Sequence, residues 1–411
     1  MVNIAVCSLL NLNQPDGGSS RVMGLSNRLS KNNNILLIHN GDLPIEATGS
    51  IISKRITSHN VAKTFDIINP LLPSIVGTSI RPILGQRMIK SALRGLSPDV
   101  VYSHQHYPTY DFIHNKDVCV PIVFDIHGLM ENLSIDCLHS TIYQERLKKI
   151  QIGVEKKCID RSDYIFSSSS AMNNYLCNRY DTICDKFFVV PDGFEPELFE
   201  RSTPEAPSLI RGRMGFDGKI VIGYIGAISK MHDSINMVKS FEIVNRELGS
   251  RAIDVRFLVI SGSIPDHIII PFEDVASRIP NLVRLPPIPH VNLPEYLASM
   301  DILMIPYSNN RFSNLVPHLK TYEYMASGKP IVASKTQGNR DVLRHESNSV
   351  MVEIGDSNSM ASGILWLIDN LDYGRRIGEK AKNEAYSKYT WGDASLMAEN
   401  AFASIVKKNT S

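Results

Sequence analysis

The sequence lacks long hydrophobic runs and has no excess of charge of one sign. In its 411 residues there is no stretch of about 18 apolar residues that could span a bilayer, and the first residues lack the pattern of a secretory signal. Lys and Arg number 43 and Asp and Glu 42, which leaves a net charge of +1. Nucleic-acid binding normally requires a strong basic excess. We therefore expect a cytoplasmic protein with no nucleic-acid partner.

The sequence also has few cysteines, and their spacing forms no recognised motif. All six lie in the first half of the chain, and no two form a Cys-x-x-Cys pair. This spacing disfavours a cysteine-ligated metal site. Reduced, mostly buried thiols are therefore expected.

Short apolar runs recur along the whole chain and alternate with longer amphipathic or polar stretches. Nearly continuous apolar runs are typical of strands that are buried on both faces of a parallel sheet. Their alternation with helical patterns indicates α/β domains with doubly wound sheets. The predicted strands are 2–10, 35–38, 100–102, 121–125, 164–167 and 187–190, and then 219–225, 255–260, 282–285, 302–305, 331–333 and 350–352.

A change in composition near residue 200 divides the chain. Residues 200–215 are rich in proline, serine and charge and have little apolar periodicity, which favours an interdomain linker. We predict an N-terminal Rossmann-like domain over 1–199 and a C-terminal one over 216–390. The last predicted helix, over 391–408, has no strand after it. Residues 391–411 are therefore expected to cross back to the N-terminal domain.

One loop and helix in the second half combine residues that suit a nucleotide sugar. Pro317 is expected to open a helix, whose first-turn N–H groups can bind an anion. Lys320 lies in that turn, and Glu323 falls on the same face three residues later. The cation and amides suit phosphates, and the carboxylate suits ribose hydroxyls. An ordinary Lys–Glu pair on a solvated helix is the alternative.

The same segment resembles the donor-binding segment of the retaining glycosyltransferases of the GT-B fold, in the large family-four (group 1) type. The resemblance rests on Lys320, Glu323 and the run Tyr-Met-Ala-Ser-Gly-Lys-Pro that follows. Other motifs follow in the family's order along nearly the whole chain. They are Gly17-Gly18-x-x-Arg21, Val123-x-Asp125-x-His127-Gly128, Val190-Pro-Asp192-Gly193, Ile222-Gly-Tyr-Ile-Gly226 and Leu293-Pro-x-Tyr-Leu-x-x-x-Asp301 with Pro306-Tyr307.

The resemblance implies two Rossmann-like domains that face each other across a cleft. It implies transfer of a sugar, with retention, from a nucleotide-diphosphate donor in the C-terminal domain to a hydroxyl of a glycan or lipid-linked acceptor at the N-terminal domain. The nucleotide sugar is then a substrate, and no tightly bound metal or other cofactor is expected.

The resemblance also implies roles for individual residues. His127 would touch the transferred sugar and stabilise charge, Lys320 would neutralise the leaving diphosphate, and Glu323 would hold the ribose. The missing Cβ of Gly18 would let the backbone approach the diphosphate. From the residues alone, a lone histidine after a strand, such as His127, is more often structural, and Gly18 could be part of a plain turn. The other expected donor contacts are Gly17, Gly226, Ala227, Lys230, Gly262, Ile288, Tyr307 and Leu319, and the expected acceptor contacts are Arg21, His104 and His106.

The sequence departs from the family pattern at three positions. A glutamate that many members carry eight residues before the match of Glu323 is Leu315 here, and Ala227 and His232 stand where many members have Arg and Lys. Lys320 is expected to take over the cationic role. Two alternatives stay open: a GT-B nucleotide-sugar epimerase, which needs no acceptor, and a catalytically silent GT-B subunit that binds a partner enzyme.

Two further patterns have competing interpretations. His104 and His106 could form a metal site, since His-x-His directs two imidazoles to one side of a strand, but a cleft loop without metal is preferred. Residues 81–96 carry four basic side chains between apolar ones and no acid. Such a stretch could lie on the anionic inner face of the membrane. A helix packed on the N-terminal sheet is the alternative.

Overall fold

A computed structural model shows that the chain folds into two compact α/β units. It describes residues 1–10, 12, 16–39, 51–55, 93, 97–130, 141–229, 231–262, 264 and 266–410. The first unit comprises Met1–Pro191 and Trp391–Ser411, and the second comprises Asp192–Thr390. Elements are numbered along these described residues.

The first unit is built on a parallel sheet. Seven described strands pair in the order β3-β2-β1-β4-β5-β6-β7, and each neighbouring pair is parallel. The six strands predicted here are confirmed, and Ile51–Arg55 is an additional strand at one edge. The strands are β1 (Asn3–Cys7), β2 (Asn34–His39), β3 (Ile51–Arg55), β4 (Val100–His104), β5 (Ile122–Asp125), β6 (Tyr164–Ser167) and β7 (Phe187–Val189).

The helices of the first unit include the last helix of the chain, Trp391–Thr410. Its Phe402 ring packs 5.2 Å from that of Tyr102 and 5.4 Å from that of Phe166. The Trp391 ring lies where a Cβ on Gly24 would be, at 2.5 Å, so the glycine allows close helix packing. The described helices are α1 (Gly17–Leu29), α2 (His106–Ile113), α3 (Thr141–Arg161), α4 (Ser170–Tyr180) and, at the end of the chain, α15 (Trp391–Thr410).

The second unit is built on a separate parallel sheet. Its six described strands pair in the order β10-β9-β8-β11-β12-β13, and all six were predicted. The strands are β8 (Ile220–Ile225), β9 (Val255–Ile260), β10 (Leu282–Leu285), β11 (Ile302–Ile305), β12 (Ile331–Ser334) and β13 (Val350–Val352). The described helices are α5 (Pro196–Glu200), α6 (Ala206–Met214), α7 (Ser234–Leu248), α8 (Asp266–Ala276), α9 (Leu293–Ala298), α10 (Arg311–Leu315), α11 (Leu319–Ala326), α12 (Gln337–Val342), α13 (Ser357–Asp369) and α14 (Leu371–Lys388).

Apolar cores cover both faces of the second sheet. On one face, helices α7 and α13 pack against strand residues such as Phe257. On the other, Tyr322 and Met325 of α11 pack against residues such as Leu303. Helix α11 is therefore anchored to the sheet by its apolar face.

The segment expected to be a linker, 200–215, is largely helical and belongs to the second unit. Arg211 of α6 donates hydrogen bonds of 3.0 Å to the carbonyl oxygen of Ser299 and to Asp301, and Ile210 is buried. The unit boundary falls instead at Pro191. Composition alone did not reveal that these proline and serine residues begin a short packed helix.

Candidate functional site

The side chain of Lys320 lies against the carboxyl end of strand β8. Its Nζ donates a hydrogen bond of 2.8 Å to the hydroxyl oxygen of Tyr224 and lies 4.3 Å from the centre of that ring. The Tyr224 hydroxyl donates to the carbonyl oxygen of Ala227, in the loop after β8. Lys320 is also the second residue of α11, where the helix dipole and free N–H groups favour an anion. Two sources of positive potential therefore meet at this loop.

Gly226 makes room for the lysine at the end of β8. Its φ is 149°, and a Cβ there would lie 2.5 Å from the Lys320 Nζ. The hydroxyl of Tyr324 accepts a 2.8 Å hydrogen bond from the backbone N–H of Ile225 and donates a 3.0 Å one to its carbonyl oxygen. The preceding residue is thus held in place, and the positive φ at Gly226 favours glycine there.

Aromatic rings surround the Lys320 ammonium group. The ring of Tyr307 stacks on that of His318 with 4.2 Å between centres and lies 5.8 Å from Nζ. Burial, followed by the charge of Lys320, lowers the pKa of His318 to about 3 and that of His232 well below its ordinary value. Burial lowers the pKa of Lys320 to about 7, against the opposing effect of Glu323. At neutral pH the two histidines are therefore uncharged.

The carboxylate of Glu323 has a partner that sequence reasoning missed. Its Oε1 lies 2.6 Å from Nε2 of His290, and the His290 side chain is half exposed. Glu323 lies one turn after Lys320 in α11, whereas His290 lies in a short turn (His290–Asn292) after β10. A single histidine in a loop has no distinguishing spacing, so only the folded chain shows this contact.

The start of α11 differs from the expectation. The helix begins at Leu319 after the N-cap residue His318, so Pro317 lies before the cap rather than in the first turn. The carboxamide oxygen of Asn314, upstream of this helix, accepts from the backbone N–H of Gln337. Lys320 and Glu323 nevertheless keep the predicted helical spacing.

The remaining expected donor residues have mixed surroundings. Ala227 and Gly262 are exposed in the loops after β8 and β9, Ile288 and Leu319 are partly buried, and Lys230 lies outside the described residues. Leu315 is buried at 5% exposure, so this position of α10 offers an apolar side chain where many family members have a glutamate.

In the first unit, a buried cluster forms around Asp125 at the end of β5. The Nε of Arg21 lies 3.0 and 3.1 Å from its two carboxylate oxygens, and the hydroxyl of Tyr102 donates to Oδ2. Burial alone would raise the pKa of Asp125. The charge of Arg21, the neighbouring His104 and His127 and the Tyr102 hydrogen bond together outweigh this effect, so the pKa of Asp125 lies below its ordinary value. Asp125 is therefore a buried carboxylate with a cationic partner.

His104 and His127 lie beside this carboxylate and contact each other. The Nδ1 of His104 is 2.9 Å from the Nε2 of His127. Each of these nitrogens is 3.7 Å from the nearer oxygen of Asp125. Burial lowers the pKa of His127 to about 4 and that of His104 well below its ordinary value, although Asp125 opposes both shifts.

The side chains of His104, Asp125 and His127 are of types that can bind a metal ion, and their ligand atoms lie within 4.8 Å of one another. The Arg21 guanidinium, whose Nε contacts both oxygens of Asp125, disfavours a divalent cation here, because the two positive charges would repel each other. His106 points elsewhere: it is buried, and its Nε2 lies 3.1 Å from Glu155. The less favoured metal pair of His104 and His106 is therefore not formed, and an acceptor role for His106 gains no support from this interior position.

The glycine motif lies in the first turn of α1, not in an open loop. Asp16 is the N-cap residue and accepts from the Ser19 N–H at 2.8 Å. A Cβ on Gly18 would lie 3.3 Å from the Asp16 Oδ1 and 3.4 Å from the His127 Nδ1. The missing side chain of Gly18 thus lets the helix start lie close to His127.

The basic stretch 81–96 lies outside the described residues except for Leu93. Within the described part of the chain, no helix has the length and apolar content to cross a membrane.

The sequence matches two family models that together span both units. One, described as Glycosyltransferase Family 4, matches residues 16–198, and the other, Glycosyl transferases group 1, matches residues 219–370. Similar curated proteins include the putative teichuronic acid biosynthesis glycosyltransferase TuaH of Bacillus subtilis, 26% identical over 62% of this chain, and a D-inositol 3-phosphate glycosyltransferase of Corynebacterium aurimucosum, 24% identical over 69%. The chain spans 66% of the length of each of these two relatives.

Solved structures resemble the whole chain. Sucrose-phosphate synthase from Thermosynechococcus elongatus matches with a TM-score of 0.78 at 15% identity and covers 99% of this chain and 100% of its own. Anabaena HepE in complex with UDP-glucose matches with a TM-score of 0.71 at 14% identity, over 98% and 100%. At this identity the likeness shows the fold. The chain belongs to the group 1 glycosyltransferases of the GT-B fold class.

Proposed function

We propose that the protein is a retaining glycosyltransferase that moves a sugar from a nucleotide-diphosphate donor to a hydroxyl of a glycan or a lipid-linked acceptor. The observation that carries the proposal is the arrangement at Gly226. There Lys320 and the start of α11 lie at the carboxyl end of β8, and Glu323 follows one turn later. Such a cation and helix terminus suit a diphosphate, and the carboxylate suits a ribose.

The similar proteins support a nucleotide-sugar donor. The second unit is the part matched by the group 1 glycosyltransferase model, and one structural neighbour was solved with UDP-glucose. TuaH is named for teichuronic acid biosynthesis, which agrees with a glycan acceptor. We assign the donor to the second unit and the acceptor to the first.

The proposed reaction is a front-side displacement. The bond between the anomeric carbon and the leaving phosphate oxygen breaks, and the acceptor oxygen bonds to the same face of that carbon. The acceptor proton passes to the leaving phosphate oxygen, so no protein base is needed. Lys320 and the helix terminus stabilise the negative charge that grows on the diphosphate, and His127 contacts the transferred sugar.

Nucleotide binding is the first test. Titration calorimetry with UDP, GDP and ADP, in EDTA so that adventitious metal is excluded, should show one preferred nucleotide. A single charged contact contributes about 1.5–3 kcal/mol, so Lys320→Ala should weaken its binding by roughly 10-fold to 100-fold. Lys219→Ala is the matched control, because Lys219 lies just before the amino end of β8, whereas Lys320 contacts its carboxyl end, and Lys219 pairs with Asp254. If the two variants bind the nucleotide with equal affinity, Lys320 does not hold the diphosphate, and the proposal loses its main support.

The two alternative functions give different outcomes. Incubation of the protein with the preferred donor sugar alone should leave the sugar unchanged, whereas isomerisation indicates an epimerase. The silent subunit is favoured by the buried Leu315 and the neutral His232. If none of the three nucleotides binds, this alternative replaces the enzyme.

Peripheral membrane contact through residues 81–96 is part of the proposal and rests on their basic amphipathic sequence. Vesicles that contain anionic lipid should retain the protein at low salt and release it at high salt. Lack of retention at low salt counts against a membrane-linked acceptor.

A further inference from the structure

The contact between His104 and His127 constrains where their protons lie. His104 ends strand β4, His127 follows β5, and the nitrogens that meet are 2.9 Å apart. Burial keeps both rings neutral at pH 7, so each carries one N–H and one bare nitrogen. One proton must lie between the two rings, because two bare nitrogens at this distance would repel each other.

Two arrangements satisfy this contact. In the first, His104 donates from Nδ1, and the proton of His127 is on Nδ1. In the second, His127 donates from Nε2, and the proton of His104 is on its own Nε2. Among the described residues, neither the His104 Nε2 nor the His127 Nδ1 has a hydrogen-bond partner. Each arrangement therefore leaves one N–H unpaired in the empty protein.

The surroundings favour the first arrangement. Both outer nitrogens, Nε2 of His104 and Nδ1 of His127, are buried, so their exposure does not separate the two arrangements. The neighbouring Asp16 carboxylate does, because its negative charge favours an N–H rather than a lone pair at the nearby Nδ1 of His127. Its Oδ1 and the His127 Nδ1 both lie within 3.4 Å of the position where a Cβ on Gly18 would stand.

The Asp125 carboxylate does not make this choice. Its oxygens are 3.7 Å from both imidazole nitrogens, which exceeds hydrogen-bond distance, and they are bound by Arg21 and Tyr102. The direct partner of His127 is therefore another histidine.

We propose that His104 is a positioning residue that holds His127 in the tautomer with its proton on Nδ1, so that His127 offers an N–H to a substrate oxygen beside the first turn of α1. The contact between His127 and a substrate oxygen rests on the proposed function, whereas the tautomer of His127 does not. A substrate oxygen that enters beside this turn, from a sugar hydroxyl or a phosphate, would accept a hydrogen bond from the His127 Nδ1.

The tautomer can be measured without substrate. Long-range proton–nitrogen NMR on protein labelled with 15N-histidine distinguishes protonated from bare ring nitrogens, and the His127→Gln variant assigns the signals. In the unmodified chain, Nδ1 of His127 should be protonated and Nε2 bare. A protonated Nε2 overturns the proposal, and this holds whether or not a nucleotide binds.

Variants then test the role of His104. In His104→Leu the His127 signals should move to a mixture of tautomers, and in His104→Gln, whose amide can donate to Nε2, they should stay close to those of the unmodified chain. His114→Gln is the control, since His114 ends α2 and contacts the Tyr110 carbonyl. If transfer is detected, kcat should fall about 10-fold to 100-fold in the leucine variant and recover in the glutamine variant. An unchanged His127 tautomer in a folded His104→Leu protein contradicts the positioning role.

Discussion

The imidazole Nε2 of His290 lies 2.6 Å from the carboxylate Oε1 of Glu323. The two residues come from different elements of the second unit: His290 follows β10, and Glu323 lies in helix α11. Glu323 is 8% exposed, so the contact fixes the orientation of a carboxylate with little room to turn. If Glu323 holds the ribose, His290 determines the direction in which its oxygens point.

His290→Ala should therefore weaken binding of the preferred nucleoside diphosphate by about 3-fold to 10-fold, since a hydrogen bond to a charged group is lost. The loss should be smaller for the 2′-deoxy and 3′-deoxy nucleotides, because their ribose makes fewer contacts with Glu323. Calorimetry with the matched ribose and deoxyribose forms measures the difference. His267→Ala, at an exposed position of α8, is the control. Equal losses for all forms would show that His290 acts elsewhere.

The pKa of Lys320 predicts a pH dependence of donor binding. With a pKa of about 7 in the empty site, the ammonium form dominates below pH 7 and the neutral amine above it. A diphosphate favours the charged form, so affinity for a nucleotide sugar should fall between pH 6 and pH 8.5. At pH 8 binding should be accompanied by proton uptake, which appears as a difference in heat between two buffers.

Lys320→Met provides the comparison for this experiment. It should bind the nucleotide sugar weakly and without proton uptake at any pH in this range. The nucleotide sugar is preferred to the free diphosphate because its phosphates do not titrate near neutral pH. Affinity that rises with pH in the unmodified protein would show that another group controls binding.

Gly226→Ala should displace Lys320. The added Cβ would lie 2.5 Å from Nζ, and φ of 149° strains any side chain. We expect a nucleotide affinity about 10-fold lower and a loss of stability of about 1–3 kcal/mol. Gly249→Ala separates the two effects, because Gly249 also has a positive φ, of 54°, but no atom within 4 Å of the added Cβ. It should lose stability and keep nucleotide affinity.

The sequence was sufficient to predict the fold. Buried parallel strands are nearly continuous apolar runs, and twelve of the strands described by the structure were predicted from such runs. The exception, Ile51–Arg55, alternates little and ends in basic residues, and Ile52 is exposed. Edge strands bury less surface, so their pattern is weaker.

Residue spacing alone brought site residues together only where they are close in sequence. Lys320 and Glu323 share a helix face, so spacing alone brings them together. The contacts of His290 with Glu323 and of Lys320 with Tyr224 join segments 33 and 96 residues apart. The cluster of Arg21, Asp125 and His104 likewise forms only when two strands and a helix assemble. Periodicity carries no information on such pairs.

The buried ion pair of Arg21 and Asp125 predicts a reversal of pH dependence in the first unit. In the unmodified chain the pKa of Asp125 is below its ordinary value, so the carboxylate stabilises the fold above the pKa of the unfolded chain. This contribution is lost as pH falls through the folded pKa. Arg21→Met removes the cation and leaves a buried carboxylate, which should cost about 3–5 kcal/mol at pH 7.

In Arg21→Met, burial then dominates and raises the pKa of Asp125, so the variant should gain stability as pH falls from 7 to 5. Urea unfolding at both pH values measures this change. The double variant Arg21→Met with Asp125→Asn should recover much of the lost stability and should be about equally stable at pH 7 and pH 5. Arg375→Met is the control, since Arg375 and Asp372 form an exposed pair whose removal should cost less than about 1 kcal/mol. If Arg21→Met is as stable as the unmodified chain at pH 7, the prediction is wrong. Water then reaches the Asp125 carboxylate, so Arg21 is not needed to offset the cost of its burial.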